Sequence, residues 1–190
     1  MQALDGPCQA EVCVVGGGLA GLILARELVN HGLEVVLIEA REIGAGASGR
    51  NGGFCSPGWA ASDESIEKRL GLDDARVLYD LSYEGFTLIR DLLPEVDRTT
   101  GNIQVSTYIN ANALRQFCEH RALHYGQVLE YVDTETVRSR LKTTRYFQGV
   151  RDAEAFHCNP LRLCELLLDK LQSTGVQVYE CTAPTRFPSP

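Results

Sequence analysis

Gly16, Gly18 and Gly21 stand in G-x-G-x-x-G spacing, and Glu39 follows them at the end of the next apolar run. That pattern is suited to holding the diphosphate of a dinucleotide. Glycine at 16 lets a strand turn tightly without a Cβ clash. At 18 it lets the backbone approach a pyrophosphate, and at 21 it lets a helix pack close to the sheet. A helix starting near Gly18 aims unpaired N–H groups and the positive end of its dipole at the phosphates. Glu39 can accept hydrogen bonds from adenosine ribose hydroxyls, whereas a neutral or basic residue there favours a 2′-phosphate. Ser48, Arg50, Asn51 and Gly52 form a second candidate group. Ser48 can donate to phosphate, Arg50 offers several donors, and Asn51 can bond to backbone or cofactor.

Local elements must position these residues. Val12, Cys13, Val14 and Val15 form a continuous apolar run, which predicts a strand covered on both faces. Leu22 to Val29 carries a helical stripe that His31-Gly32 ends, and Glu34 to Ile38 supplies a second strand. Strand, glycine turn, helix and strand make the mononucleotide-binding βαβ unit. Arg41 to Gly58 then carries Gly44, Gly46, Gly49, Gly52, Gly53 and Gly58. With neither strand nor helix period, it reads as a loop whose backbone comes close to something. Ile43, Phe54 and Trp59 are its expected anchors, which a bare flexible linker would not need.

Further on, Asp63 to Leu70 predicts a short helix and Leu72 to Leu93 a longer one. The longer helix turns Ala75, Leu78, Leu81, Phe86, Ile89 and Leu93 to one side, with Pro94 at its end. A strand is expected over Asn102 to Tyr108, then a helix capped by Asn110 and stopped by Gly126. Val128 to Val132 reads as a strand and Thr134 to Leu141 as a helix, while Tyr146 to His157 is weakly patterned. Asn159 is an N-cap with Pro160 at the first helical position. Leu161, Cys164, Leu167, Leu168 and Leu171 form that helix's buried side, Gly175 ends it, and Val176 to Tyr179 follows as a strand. Pro184, Pro188 and Pro190 cannot continue a central strand.

Composition narrows the function classes. The 190 residues are 44% hydrophobic and 23% charged, ordinary for a globular chain with one sizeable core. A net charge of −7 with no basic stripe argues against nucleic acid as a partner. Seven scattered cysteines, none in a C-x-x-C pair, read as reduced thiols in an intracellular protein. Residues 1–10 read as a loose leader, without the pattern of a signal peptide, and no stretch reads as a membrane span. His120 and His124 share a helix face but lack the further ligands of a metal site, so no metal is expected. His157 reads as a loop-packing residue rather than a base, and neither G-x-S-x-G nor a phosphate loop of the G-x-x-x-x-G-K type is present. Tyr83, Tyr108 and Tyr146 can line a pocket or simply pack, and the sequence leaves both open.

Three stretches together resemble the D-amino-acid-oxidase-type superfamily of FAD-dependent oxidoreductases. They are VVGGGLAGL with Glu39, GAGASGRNGGF, and HCNPLRLCELLLDKLQSTGVQVYE with its H-x-x-P-x-x-L opening. Within the superfamily they are similar to the branch of gamma-glutamylputrescine oxidase and related amine or amino-acid oxidoreductases. The resemblance runs from about Glu11 to Thr182. It implies an α/β fold, with a Rossmann-like FAD-binding βαβ core and the beginning of an α+β substrate domain. It also implies FAD as cofactor, held by Gly16, Gly18, Leu19, Ala20, Gly21, Glu39, Ala40, Ser48, Arg50, Asn51 and Gly52. Residues near Ala183 would approach the adenine, and no catalytic residue is assigned.

The implied organisation is a leader over 1–10, an FAD-binding βαβ unit and cofactor loop over 11–60, and a helical insertion with part of the substrate domain over 61–155. A helix and strand over 156–182 return to the FAD domain, and a divergent tail fills 183–190. Family members continue well past this length with further strands, so the cofactor domain is expected to be incomplete. The implied chemistry is oxidation of an amine or amino-acid C–N bond by hydride transfer to flavin. One competing expectation is a noncatalytic truncated fragment that binds FAD or interacts with a protein partner. The other, an NAD-dependent dehydrogenase, leaves the loop from Gly44 to Gly53 unexplained.

Overall fold

The computed structural model describes residues 2–92 and 98–184. The expected end of the long helix at Leu93 and Pro94, and the tail beyond Pro184, lie outside the described residues. Two compact units are formed. One takes the residues up to Gly53 together with those from Cys158 onward, and the other is Phe54–His157. The divisions therefore fall at Gly53 and Cys158, against expected boundaries at 60 and 156.

The first unit opens with β1 (Val12–Val15), α1 (Leu19–Asn30) and β2 (Val35–Ile38). A 3₁₀ turn follows at Ala47–Gly49, and the unit closes with α6 (Pro160–Gln172) and β7 (Gln177–Tyr179). Its sheet has the order β1-β2-β7 and is parallel throughout. Val14 pairs with Leu37, and Leu37 with Val178. All four β2 residues are buried, as a central parallel strand requires. β1 is different. Only Val14 is buried, Cys13 is exposed and Val15 is 48% exposed, which corrects the expectation of a strand covered on both faces. Among the described residues β1 has β2 on one side, and the alternation of the strand leaves Cys13 and Val15 on the uncovered face.

Helix α1 fully buries Leu22 and Ala25 and packs against α6, which buries Leu163, Cys164, Leu167 and Leu171. Leu163 takes the inward place expected of Leu161, which is 42% exposed. The start of α6 follows its chemistry closely. Asn159 Oδ1 accepts from the amides of Leu161 at 3.0 Å and Arg162 at 3.1 Å, and Pro160 fills the first turn, where no N–H is needed. Asn159→Ala is expected to lower stability by about 1–2 kcal/mol in urea unfolding, while Asn159→Asp stays within a few tenths. An unchanged midpoint for the alanine variant would remove the cap from the account of this helix.

The second unit contains β3 (Phe54–Cys55), α2 (Asp63–Leu70), α3 (Leu72–Leu92), β4 (Arg98–Val105) and α4 (Ala111–Tyr125). It continues with β5 (Glu130–Val132), α5 (Thr134–Leu141) and β6 (Gly149–Cys158). Its sheet runs β3-β6-β4, with β5 also on β6. The weakly patterned stretch before Asn159 is thus the strand at the middle of the sheet. Its inward residues come as adjacent pairs, Gly149-Val150 and Ala155-Phe156, instead of alternating. The Asp152 carboxylate explains the break, since its Oδ1 accepts from the amides of both Glu154 and Ala155.

On α3 the buried line is Ala75, Tyr79 and Phe86, and Leu81 faces outward at 55% exposure, against the expected stripe. Phe86 meets Phe156 with ring centroids 5.5 Å apart. Asn110 precedes α4 without capping it, because its backbone amide donates instead to the Gln148 side chain and its Oδ1 is left without a partner. Gly126, at φ +66, does stop that helix. Among the described residues no helix is long and apolar enough to cross a membrane.

Candidate functional site

The glycine turn joins β1 to α1 in the first unit. Gly16 has φ +111, and its amide donates to Ile38 O at 2.8 Å, closing the ladder between β1 and β2. Gly21 sits in the first turn of α1. A Cβ there would overlap the carbonyl oxygen of Gly16, so the helix packs against the turn at a distance only glycine allows. Gly18 is the N-cap and supplies no side chain of its own. The cap comes from elsewhere in the unit, because the Leu19 amide donates to Ser48 Oγ at 3.0 Å. A Cβ on Gly18 would stand 2.8 Å from that same oxygen. The amides of Ala20 and Gly21 have no acceptor among the described residues, so the helix presents free donors at its positive end.

Glu39 continues β2 into this turn. Its amide donates to Tyr179 O at 2.9 Å, and its carbonyl accepts from Thr182 N at 2.8 Å. The carboxylate spans two backbone donors, Gly17 N at 2.7 Å and Arg41 N at 2.9 Å. Two such charge-assisted bonds fix the acid beside the glycine turn and leave further lone pairs for hydroxyl donors. Ala40 lies exposed next to it.

Gly16, Gly18, Leu19, Ala20, Gly21, Glu39 and Ser48 are therefore brought together. Arg50, Asn51 and Gly52 follow the 3₁₀ turn on the exposed loop, and none of the three makes a hydrogen bond to the glycine turn. Asn51 spends its side chain locally. Its Nδ2 donates to Ala47 O and Ser48 O, and its Oδ1 accepts from Gly53 N at 2.7 Å. The Arg50 amide donates to Ala47 O at 3.3 Å, while its guanidinium has no hydrogen-bond or ion-pair partner among the described residues and is available to an anion.

Sequence reasoning overlooked Gly17. A Cβ there would collide with the Ile43 side chain and crowd Glu39, while Gly17 O accepts from Gly44 N at 3.0 Å. Ile43 is buried, and its amide is held by Glu180 Oε1 at 2.7 Å. It is the one expected anchor of the glycine-rich loop that is buried, since Phe54 is 75% and Trp59 50% exposed. The run of three glycines was the available signal for this contact. Among the described residues no group of three or more His, Cys, Asp or Glu side chains is placed to hold a metal ion. His120 bonds instead to Glu67 at 2.7 Å, and His124 Nδ1 lies 3.2 Å from Arg76.

A parallel sheet with a glycine turn, an open helix N-terminus and an acid at the end of the second strand defines a dinucleotide-binding protein. Residues 11–188 match the family described as FAD dependent oxidoreductase, and the chain belongs to that family. It is 34% identical over 182 residues to gamma-glutamylputrescine oxidoreductase of Escherichia coli, covering 93% of this chain and 43% of that protein. Its fold is similar to that of L-amino acid deaminase from Proteus myxofaciens, with a TM-score of 0.71 at 18% identity, over 95% of this chain and 40% of that one. It is also similar to L-alpha-glycerophosphate oxidase from Mycoplasma pneumoniae, a structure with FAD bound, with a TM-score of 0.68 at 17% identity. That likeness covers 93% of this chain and 46% of the other. The chain thus spans less than half the length of these relatives, and its fold is shared by proteins named for amino-acid and for glycerophosphate substrates.

Proposed function

We propose that this chain supplies the diphosphate and ribose end of an FAD site in an oxidoreductase that oxidises an amine or amino-acid C–N bond. The observation that carries the reading is the pairing of free amides at Ala20 and Gly21 with a carboxylate at Glu39, all on one glycine turn. The residues fit the group. The backbone at Gly18 is bare, so the diphosphate can approach to hydrogen-bonding distance of the helix amides. Ser48 Oγ accepts from Leu19 N and keeps its own proton to donate to a phosphate oxygen. Glu39 takes the ribose hydroxyls, and Arg50 adds positive charge along the cofactor. Ala40 flanks Glu39, and Asn51, whose side chain also braces the loop, lies with Gly52 along the cofactor's path.

When bound, FAD supplies the hydride acceptor for oxidation of the carbon next to nitrogen. The amine class rests on the relative at 34% identity, because the fold alone also serves a glycerophosphate oxidase.

The test is titration of the chain with FAD, read by flavin fluorescence, with NAD as competitor. Saturable FAD binding that NAD does not displace is expected. Glu39→Gln replaces an acceptor with an amide that opposes Gly17 N–H, and should weaken FAD about ten- to hundredfold. Equal affinity in the variant would take Glu39 out of the site, and failure to bind FAD at saturation would end the reading. Flavin reduction by a supplied amine, measured on the full-length protein, tests the substrate class separately.

A further inference from the structure

The second unit holds a cavity of about 340 Å³ bounded by α3, the end of α4 and β6. That size accommodates a small organic ligand. Its walls are aromatic and acidic. Tyr79 and Tyr83 come from α3 and Tyr125 from α4, with ring centroids 6.3 Å apart for Tyr79–Tyr83 and 5.0 Å for Tyr79–Tyr125. Asp80, Asp152 and Glu154 complete the lining, and among the described residues no lysine or arginine joins them. Arg121 lies over the Tyr79 and Tyr125 rings, but Asp63 pairs with it at 2.6 Å.

The acids are poorly satisfied by the protein itself. The exposed Asp80 carboxylate has no hydrogen-bond or ion-pair partner among the described residues, and the exposed Glu154 carboxylate accepts only a 3.3 Å bond from Tyr83. Asp152 Oδ2 accepts from Gln127, and its Oδ1 holds two backbone amides. None of these partners carries positive charge. Tyr79 adds an independent sign. It is only 5% exposed and lines the cavity, yet its hydroxyl has no partner among the described residues. The hydroxyl of this largely buried side chain opens to the cavity, so its hydrogen bonds fall to whatever fills that space, solvent or ligand. Burial pushes this phenol up to about 12, and despite the opposing charge of Arg121 the nearby carboxylates of Asp152 and Glu154 add to the rise. Its proton is therefore held at neutral pH, and its lone pairs remain free to accept.

We propose that this cavity binds a small alkylammonium ion, its charge against the tyrosine rings and its N–H groups donating to the Tyr79 hydroxyl and the carboxylates of Asp152 and Glu154. Aromatic faces attract a desolvated cation, and an ammonium brings the donors that these acceptors lack. An uncharged ligand would satisfy the shape of the site and leave three carboxylates uncompensated. The proposal concerns binding within the second unit and does not rest on the FAD reading.

Calorimetric titration of the chain with n-butylammonium and with n-butanol, its uncharged counterpart, tests this with and without FAD. The ammonium is expected to bind at least about tenfold tighter than the alcohol. Glu154→Gln and Tyr83→Leu should each weaken it about three- to tenfold without changing FAD affinity. Should Tyr83→Leu fail to fold, Asp80→Asn reads the electrostatic part on a surface side chain. Equal affinity for ammonium and alcohol, no measurable ammonium binding, or unchanged binding in variants that melt like the parent would each overturn the proposal.

Discussion

Gly21→Ala is expected to lower the stability of the chain by about 3 kcal/mol or more and to abolish FAD retention. The added methyl overlaps the carbonyl oxygen of Gly16, with Val14 Cγ1 next at 3.5 Å. The obstacle is backbone, and Gly16 is itself held by a 2.8 Å bond to Ile38 O, so it cannot swing aside as a side-chain tip would. Relief requires α1 to move off the sheet. That movement uncovers Leu22 and Ala25, which are fully buried, and carries the free amides of the first turn away from any phosphate. The loss is large against a total stability of roughly 5–15 kcal/mol for an ordinary domain. Urea unfolding, read with FAD fluorescence, measures both effects. Gly85→Ala is the matched control. Gly85 lies inside α3 with open space around it, and the same substitution should raise stability by about 0.5–1 kcal/mol. A Gly21→Ala chain that melts like the parent would mean that the close packing of α1 on the turn does not exist.

What could be read from the sequence was whatever depends on neighbours along the chain. The glycine spacing, the apolar run of β2, the Asn159-Pro160 helix start and the Gly126 stop are each dictated by backbone sterics and local hydrogen bonding. The errors have a common origin in contacts distant in sequence. Val12 to Val15 reads as a doubly covered strand because its residues are all apolar, yet whether a second face is covered depends on which elements lie over it. The long strand β6 was hidden because one carboxylate, Asp152, takes two successive amides and shifts the inward residues out of alternation.

The site itself shows the same division. Ser48 and Asn51 are small polar residues in one glycine-rich loop, and composition gives them equal standing as cofactor contacts. Position separates them, since Ser48 reaches the α1 amide and Asn51 binds its own loop. Gly17 was passed over because the side chain that would clash with its Cβ, Ile43, arrives only after the second strand has folded back. Tyr83 could be called a pocket residue or a packing residue from sequence alone. It lines the cavity because α3 brings it to Glu154 on β6, a pairing no local pattern encodes.

The second large effect is expected at Gly53, where the glycine-rich loop leaves the first unit. Gly53→Ala should cost about 2–5 kcal/mol, from two independent sources. The residue has φ +68, a left-handed conformation in which an L side chain costs about 1–2 kcal/mol. Its Cβ would also overlap the carbonyl oxygen of Cys158, with the Pro160 ring at 3.3 Å, adding about 1–3 kcal/mol of overpacking. Neither neighbour can yield cheaply. Cys158 N donates to Gly53 O at 3.1 Å, and Pro160 is fixed at the first turn of α6 by the Asn159 cap. The strain therefore passes into α6, whose Cys164 and Leu171 are fully buried in the first unit. Gly53→Asn separates the two sources. Asparagine tolerates the left-handed conformation better than alanine but carries the same Cβ, so it should recover about 1 kcal/mol and no more. Full recovery in the asparagine variant would show that conformation alone governs the site, and an alanine variant as stable as the parent would refute the close approach of Gly53 to Cys158.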